Sequence, residues 1–442
     1  MFKKVTQTIV NQVEPSGGLI PVHSIIDHEH FRPLCLVRQK EKTMFHRSPS
    51  YKQTWHRLTD FLLPGEDNNS TDSLLPSGGD KESRQFTVRT HTNDRVDGNL
   101  SLCVDSVSTE LKAAASSSKG WSIKLDKNHI PLPKLEALTT ERKINMDHPF
   151  IQQLQKTRER LYVVHETIET SEEACYEEST TAEGCLIAQL YAKFHAKGTR
   201  DKKQSLTIPK GCTLAFKAIQ LDITDKSWYL RYFEDRQYIC DGFSGGKLGA
   251  LEGEIKENCQ ILSQLSSDLS VTFLKAIKAV MRDRNLFEEL NHKMDEVLDE
   301  TRNCELKTES PDLKDLFSSL QYSSRHLLLK LAGAITYTLD ALDELTEDQL
   351  LLLLESLEEK AVSQQLKLIG IILEHRNVHL NLDDSLLSSS QQKVQKITIA
   401  MLEMSGVKFQ KDGSAVCMEE AFSATAALYV SLYILSVLSN SN

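Results

Sequence analysis

The chain has 442 residues, of which 40% are hydrophobic and 26% charged, with a formal net charge of −10. That is ordinary globular material for two or three domains and excludes a collagen-like or wholly disordered chain. Nine cysteines without a CxxC pair exclude a disulfide framework and a zinc ribbon. The charge is uneven. Residues 1–241 carry 33 Lys and Arg against 32 Asp and Glu, a net of +1, and the rest carry 19 against 30, a net of −11. Such asymmetry points to two units with different partners.

The N-terminal segment has two lysines but no apolar run of signal-peptide type, so the cytosol is the expected compartment. Phe2, Val5, Ile9, Val10 and Val13 recur at helical spacing, and Pro15-Ser-Gly-Gly ends the helix. Residues 31–37 and 51–55 read as strands around a basic loop. Residues 67–82, rich in Asn, Ser, Asp and Gly, read as a mobile loop. Two long tracts, 85–130 and 161–209, alternate weakly between apolar and polar residues, with a helix-containing connection over 135–156. A further strand pair turns around Pro209-Lys-Gly211. Beyond Gly242-Phe-Ser-Gly-Gly246 the period becomes 3.6 residues, from Leu251 and Ile255 to the apolar run that closes the chain. This half reads as an α-helical bundle.

Several patterns carry no chemistry. Gly242-Phe-Ser244-Gly-Gly246 matches GxSxG but lacks the strand-to-helix context of a nucleophile elbow, so it reads as a linker. His28, His30 and nearby His23 lack a Cys or carboxylate partner at metal-ligand spacing, and no metal is expected. The sequons at Asn68, Asn69 and Asn99 have no meaning without export. No Walker A, GxGxxG or HExxH pattern occurs, which argues against an enzyme and against a cofactor. Nucleic acid is disfavoured by the near-neutral first half and the lack of a stacking-aromatic motif. Residues 421–442 approach the length of a membrane span, but serines interrupt the run and Glu419-Glu420 precede it. A buried terminal helix is favoured over a tail anchor.

The basic loop points to a membrane. Arg38, Lys40, Lys42 and Arg47 surround Met44-Phe45, and cations attract anionic headgroups while the apolar pair enters the acyl boundary. Lys3, Lys4, Arg142 and Lys143 are candidates to join it. Read by itself, the segment also fits a solvated hairpin loop. Three functions therefore stand on the residues: a membrane-active protein, a cytosolic scaffold with a partner-binding bundle, and a tail-anchored protein.

The order of segments resembles the gasdermin family. The similarity rests on residues 18–28, 31–38, 141–151, 161–167 and 207–217 in the first half, and 339–351, 358–375 and the ALYVSLYILSVL run in the second. The resemblance implies an α+β architecture: a twisted antiparallel sheet with helices at residues 1–229, a protease-sensitive linker at 230–247, and an all-α inhibitory bundle at 248–442. It implies a precursor that proteolysis releases to bind acidic phospholipids, assemble a homo-oligomeric ring and insert two β-hairpins per subunit, with pyroptotic lysis following. The intact form would be cytosolic and the cut form membrane-bound. Tracts 85–130 and 161–209 are the candidate hairpins.

Carried over by position, Arg38, Lys40, Lys42, Phe45, Arg47 and Lys52 fall on the family's membrane-contacting loop. The first helix has Gln7, Thr8 and Asn11 where relatives often carry arginines, and His46 stands where an aromatic is common. Leu251, Tyr337 and Ala341 match inhibitory interface positions, with internal bundle packing the other reading of each. Tyr238-Ile-Cys-Asp241-Gly242 meets the preferences of an inflammatory caspase, with cleavage between Asp241 and Gly242. Asp235 and Asp225 are followed by larger basic residues and compete poorly. Cys185 is either a lipidation site near a hairpin tip or a free internal cysteine.

Overall fold

In the computed structural model, Phe2, Val5 and Ile9 lie along one side of helix α1 (Phe2–Val13) and are buried against Leu214 and Phe216 of a large sheet. The structure describes residues 2–14, 18–40, 43–46, 50–63, 85–95, 116–157, 160–181, 190, 193–194, 201–224, 227–232, 246–299, 305–375, 377–379, 389–410, 414–418 and 421–440. The expected loop at 67–82 and the 233–245 junction lie outside them.

The sheet is antiparallel and has ten described strands: β1 (Ile20–Pro21), β2 (Cys35–Gln39), β3 (Tyr51–Arg57), β4 (Gln85–Arg95), β5 (Ser116–His129), β6 (Leu161–Thr170), β7 (Ala174–Thr181), β8 (Asp201–Ile208), β9 (Thr213–Ile223) and β10 (Trp228–Arg231). Its main path runs β1-β9-β6-β5-β7-β8. The β2–β3 pair is attached to β6, β4 to β5, and β10 to β9. Two antiparallel pairs fall in the tracts of weak alternation. β4 pairs with β5 from Gln85↔Asp126 to Arg95↔Ser116, and β7 pairs with β8 from Ala174↔Ile208 to Thr181↔Asp201. Gly211, at φ +75, makes the turn from β8 to β9, a conformation a β-carbon disfavours.

Two apolar clusters flank the sheet. One is covered by α1, and the other holds helices α2 (Leu132–Glu141) and α3 (Pro149–Thr157) through Leu135, Leu138 and Ile151. The expected strand over 31–37 is corrected. Phe31 closes a 3-10 turn (His28–Phe31), and β2 starts only at Cys35, because Pro33 and the left-handed Leu34 (φ 68) interrupt the extended run.

The second unit contains helices α4 (Gly246–Cys259), α5 (Ser267–Arg282), α6 (Arg284–Asp299), α7 (Pro311–Gln321), α8 (Arg325–Asp343), α9 (Glu347–Glu358), α10 (Val362–Glu374), α11 (Ser389–Met404) and α12 (Phe422–Asn440). Hydroxyls at helix starts accept backbone N–H bonds: Ser266 for α5, Ser324 for α8, and Thr346, in a capping box with Gln349, for α9. The bundle is not purely helical. Strands β11 (Asn377–His379), β12 (Lys408–Phe409) and β13 (Ser414–Val416) form a small sheet. Gly406 (φ +91) turns the chain out of α11 toward it, and a β-carbon there would meet Ala421 at 3.2 Å.

Among the described residues α12 is the one helix long and apolar enough to cross a bilayer. It packs instead against α8, α10 and α5, with Leu428, Leu432 and Leu435 essentially inaccessible.

Candidate functional site: the docked face between the domains

The connection between β2 and β3 reaches across to the helical unit. Phe45 is fully buried, and it belongs to the hydrophobic core of the helical unit rather than to its own sheet. Its ring meets the Tyr337 ring edge-on, with centroids 5.3 Å apart. The Glu254 carboxylate on α4 accepts the Met44 backbone N–H at 3.0 Å and the Tyr337 hydroxyl at 2.9 Å. Burial pushes the Glu254 carboxyl above its usual range, against the pull of those two donors. Burial beside Glu254 likewise raises the Tyr337 phenol, keeping it a neutral donor. Leu251 and Ala341 are fully buried in the same apolar cluster.

Three lysines of the first unit ring this anchor, each on a carboxylate of the second. Lys3 of α1 lies 2.6 Å from Asp343 and also donates to the Asp343 carbonyl at 3.0 Å. Lys40 lies 3.3 Å from Asp340, and Lys52 lies 2.6 Å from Asp295. Asp343 is shared with Arg284 of the helical unit at 2.7 Å. Burial would raise the Asp343 carboxyl, but the Lys3 and Arg284 cations prevail and hold it well below the usual carboxylate range. Burial works against the charged form of Lys40, yet Asp340 and Asp295 raise its pKa overall. These pairs are only about a quarter exposed or less. Each contributes more than a fully solvated pair but pays a desolvation cost.

A second anchor stands apart from the first. Leu190 is 2% exposed and joins the helical core, while Phe194 packs against that core with the Arg282 guanidinium over its ring at 5.3 Å. Lys193 bonds Glu355 at 2.6 Å and Glu358 at 2.5 Å. Glu355 is 1% exposed and also holds Lys393. Burial opposes ionisation of Glu355, but the two lysines overcome it and lower its pKa.

The predicted membrane-loop residues Lys40, Phe45 and Lys52 thus meet the predicted interface residue Tyr337 and its neighbours. Arg38 lies opposite Lys52 in the β2–β3 pair. Arg142 and Lys143 stand elsewhere, past the end of α2. The Arg142 guanidinium donates to the Leu63 carbonyl at 3.4 Å, its own carbonyl accepts the Trp228 indole N–H, and the Lys143 carbonyl accepts the Leu63 N–H. Lys42, Arg47, Cys185, Asp241 and Gly242 lie outside the described residues, as does the Lys4 side chain.

Sequence reasoning missed the carboxylates that receive the lysines and the whole second anchor. The surplus of acid in the second half was the one available signal, but it named no position. His28 and His30 are absorbed structurally: His28 Nδ1 accepts the Thr213 N–H and His30 packs on Trp55. No group of three possible metal ligands occurs among the described residues.

Comparison with known proteins supplies the family. Residues 1–239 match the model of the gasdermin pore forming domain, and residues 247–416 match that of the gasdermin PUB domain. The chain is 28% identical to mouse Gasdermin-A over 469 residues and 30% identical to human Gasdermin-A over 465 residues, covering 100% of both chains each time. It is 27% identical to mouse Gasdermin-D, covering 99% of this chain and 98% of that one. Among solved structures, the cryo-EM structure of the Gasdermin A3 membrane pore matches 53% of this chain and 96% of that chain, with 25% identity and a TM-score of 0.39. With a pore-forming domain followed by a PUB domain across nearly its whole length, this chain belongs to the gasdermin family.

Proposed function

We propose that this chain is the autoinhibited precursor of a membrane pore, silent until a protease cuts between its two domains. Residues 1–229 are the pore-forming unit, 230–247 the cut segment and 248–442 the inhibitory lid. The observation that carries this reading is that the helical unit engages a surface whose groups suit an anionic bilayer. Lys3, Lys40, Phe45 and Lys52, all suited to an anionic bilayer, are engaged by Asp343, Asp340, Tyr337 and Asp295. Lid and membrane compete for the same groups, so removing the lid creates the lipid-binding face.

Inflammatory caspase cleavage after Asp241 frees the first domain in this scheme. Lys3, Lys4, Arg38, Lys40, Lys42 and Arg47 then attract acidic phospholipids at about 1 kcal/mol per charge, with Phe45 entering the bilayer. Subunits assemble into a ring, and the β4–β5 and β7–β8 pairs extend across the membrane. A spanning strand needs ~9–11 residues with alternating lipid and lumen faces. A single inserted hairpin would leave edge amides unpaired, and ring closure removes those edges. Pyroptotic lysis of the cell follows. Leu251, Tyr337 and Ala341 act as inhibitory contacts.

Dye release from phosphatidylserine vesicles tests this scheme. The intact chain should be silent, and an inflammatory caspase should trigger leakage. Mass spectrometry should find the cut after Asp241, and Asp241→Ala should remain silent under protease. A cleaved, folded first domain that left vesicles intact would sink the reading. Flotation of the uncut chain through residues 421–442 would support the tail-anchor alternative instead.

A further inference from the structure

Phe45 is fully buried in the core of the other unit, so its ring cannot withdraw unless a wall of its slot moves. Two helices bound that slot. α8 does so through Tyr337, whose ring meets Phe45, and α4 through Glu254, which accepts the Met44 N–H and the Tyr337 hydroxyl. The two walls differ in strength. α8 is capped by Ser324 and buries Leu331, Ala332, Ile335, Leu339 and Leu342 along its length. The first half of α4 has little to hold it. From Lys247 to Gly253 the one buried side chain is Leu251. The first turn has no acidic residue, and it carries Lys247, a cation at the positive end of the helix dipole.

Gly249 and Gly253 lie in this half. A β-carbon at either would meet nothing within 4 Å, and neither has a positive φ. Neither packing nor backbone conformation therefore calls for glycine there. Relative to alanine, each glycine shifts the balance toward coil about fivefold, and the two together roughly twentyfold. The contacts to α12 run through exposed residues: Glu252 accepts the Tyr429 hydroxyl at 3.0 Å, and Lys247 lies 5.2 Å over the Phe422 ring. Beyond Glu254 the helix is firmer. Ile255 and Cys259 are buried, and a 3-10 turn at Gln260–Gln264 follows. The helix is weak on the side that ends at the Phe45 slot and firm past it.

We propose that the first half of α4 is the gate through which the Met44-Phe45 loop leaves. It unwinds locally, takes Leu251 and Glu254 with it, and recloses. Gly249 and Gly253 are positioning residues that set how often it opens. Local opening draws on the least stable part of a structure, which here is this half-helix rather than α8. The inference rests on the reading of the helical unit as a releasable lid, and it adds which wall moves.

Hydrogen exchange of the full-length uncut chain, without lipid, tests the gate. Mass spectrometry follows peptides covering residues 43–46, the first half of α4, and α8. The Met44 amide and the α4 amides should share one opening and exchange together. Gly249→Ala/Gly253→Ala should slow both roughly twentyfold, and Gly249→Ala alone about fivefold, with α8 unchanged. Gly333→Ala on α8, where a β-carbon would also meet nothing within 4 Å, should leave Met44 exchange as it is. Slower α4 exchange with unchanged Met44 exchange in the double variant would mean that the loop leaves without α4 moving, and would overturn the gate. Equal slowing by Gly333→Ala would overturn it too, by reducing the effect to general stabilisation of the bundle. Dye release after cutting reads the pore separately: vesicles that stay intact while exchange responds as expected would sink the pore and leave the gate standing.

Discussion

Replacing Tyr337 by alanine perturbs the lid without touching the pore-forming domain. The ring lies 5.3 Å edge-on from Phe45, and its hydroxyl donates to Glu254. An edge contact between aromatics is worth about 0.5–1.5 kcal/mol beyond burial. Partial re-exposure of Phe45 adds about 1–2 kcal/mol, from about 1.5–3 for burying a whole apolar side chain. Loss of the hydroxyl leaves Glu254 with one donor fewer, costing about 1 kcal/mol. Docking should therefore weaken by roughly 3–4 kcal/mol, a factor of several hundred in its equilibrium constant.

The direct assay uses chain cut at an engineered site within 233–245 and measures Kd between the two halves by calorimetry, without lipid. Kd should rise by more than a hundredfold for Tyr337→Ala and less than tenfold for Tyr337→Phe, which loses only the hydroxyl. The uncut Tyr337→Ala chain should also leak vesicles without protease. If the helical half carrying Tyr337→Ala keeps its circular dichroism and thermal transition yet binds its partner with unchanged Kd, Tyr337 serves bundle packing alone. The inhibitory reasoning would then fail.

Asp343→Ala strands Lys3 and Arg284 together. Because the Asp343 side chain is 21% exposed, the cost should fall between solvated and buried pairs, at about 2 kcal/mol. The half-to-half Kd should rise roughly thirtyfold in 50 mM salt and less at 1 M, where exposed charges are screened. Glu355→Gln removes the buried charge that pairs with Lys193 and Lys393, so protease should reach the segment around Lys193 faster in the uncut chain. Accessibility equal to wild type would exclude the second anchor as an independent contact. His46 is held neutral in the docked form, with its pKa lowered mainly by burial. The freed loop returns to an ordinary imidazole and binds more protons below about pH 6.5. Docking should therefore weaken as pH falls below that value, and His46→Gln should flatten this component. Equal slopes in both proteins would remove His46 from the interface. Leu432→Asp on α12 should unfold the helical domain rather than detach the protein from membranes, since Leu432 is fully buried. A variant that keeps the helical domain's circular dichroism and thermal transition would favour the tail anchor.

Much of the architecture was legible before any coordinates. The stripe Phe2, Val5, Ile9 identifies α1 because a 3.6-residue period can bury one side of a helix and little else. The leucine periodicity after residue 248 marks the bundle for the same reason. The strand over 31–37 failed because local propensity does not register a left-handed Leu34, whose conformation is set by long-range bonds: its N–H to the Val164 carbonyl and its carbonyl from the Leu58 N–H. The small β11–β13 sheet was missed because two- and three-residue strands are too short to show alternation.

The candidate site divides along the same line. The chain alone determined that a basic loop carries an exposed-looking Met-Phe pair, that acid is concentrated in the other half, and that the two halves have different periods. Only the tertiary structure decided that Phe45 enters the core of the other domain, that Lys3 finds Asp343 across 340 residues, and that Lys193 finds Glu355. Periodicity reports how a segment meets its own local surface. Pairing between distant charges depends on where two separately formed surfaces touch, and no local pattern encodes that.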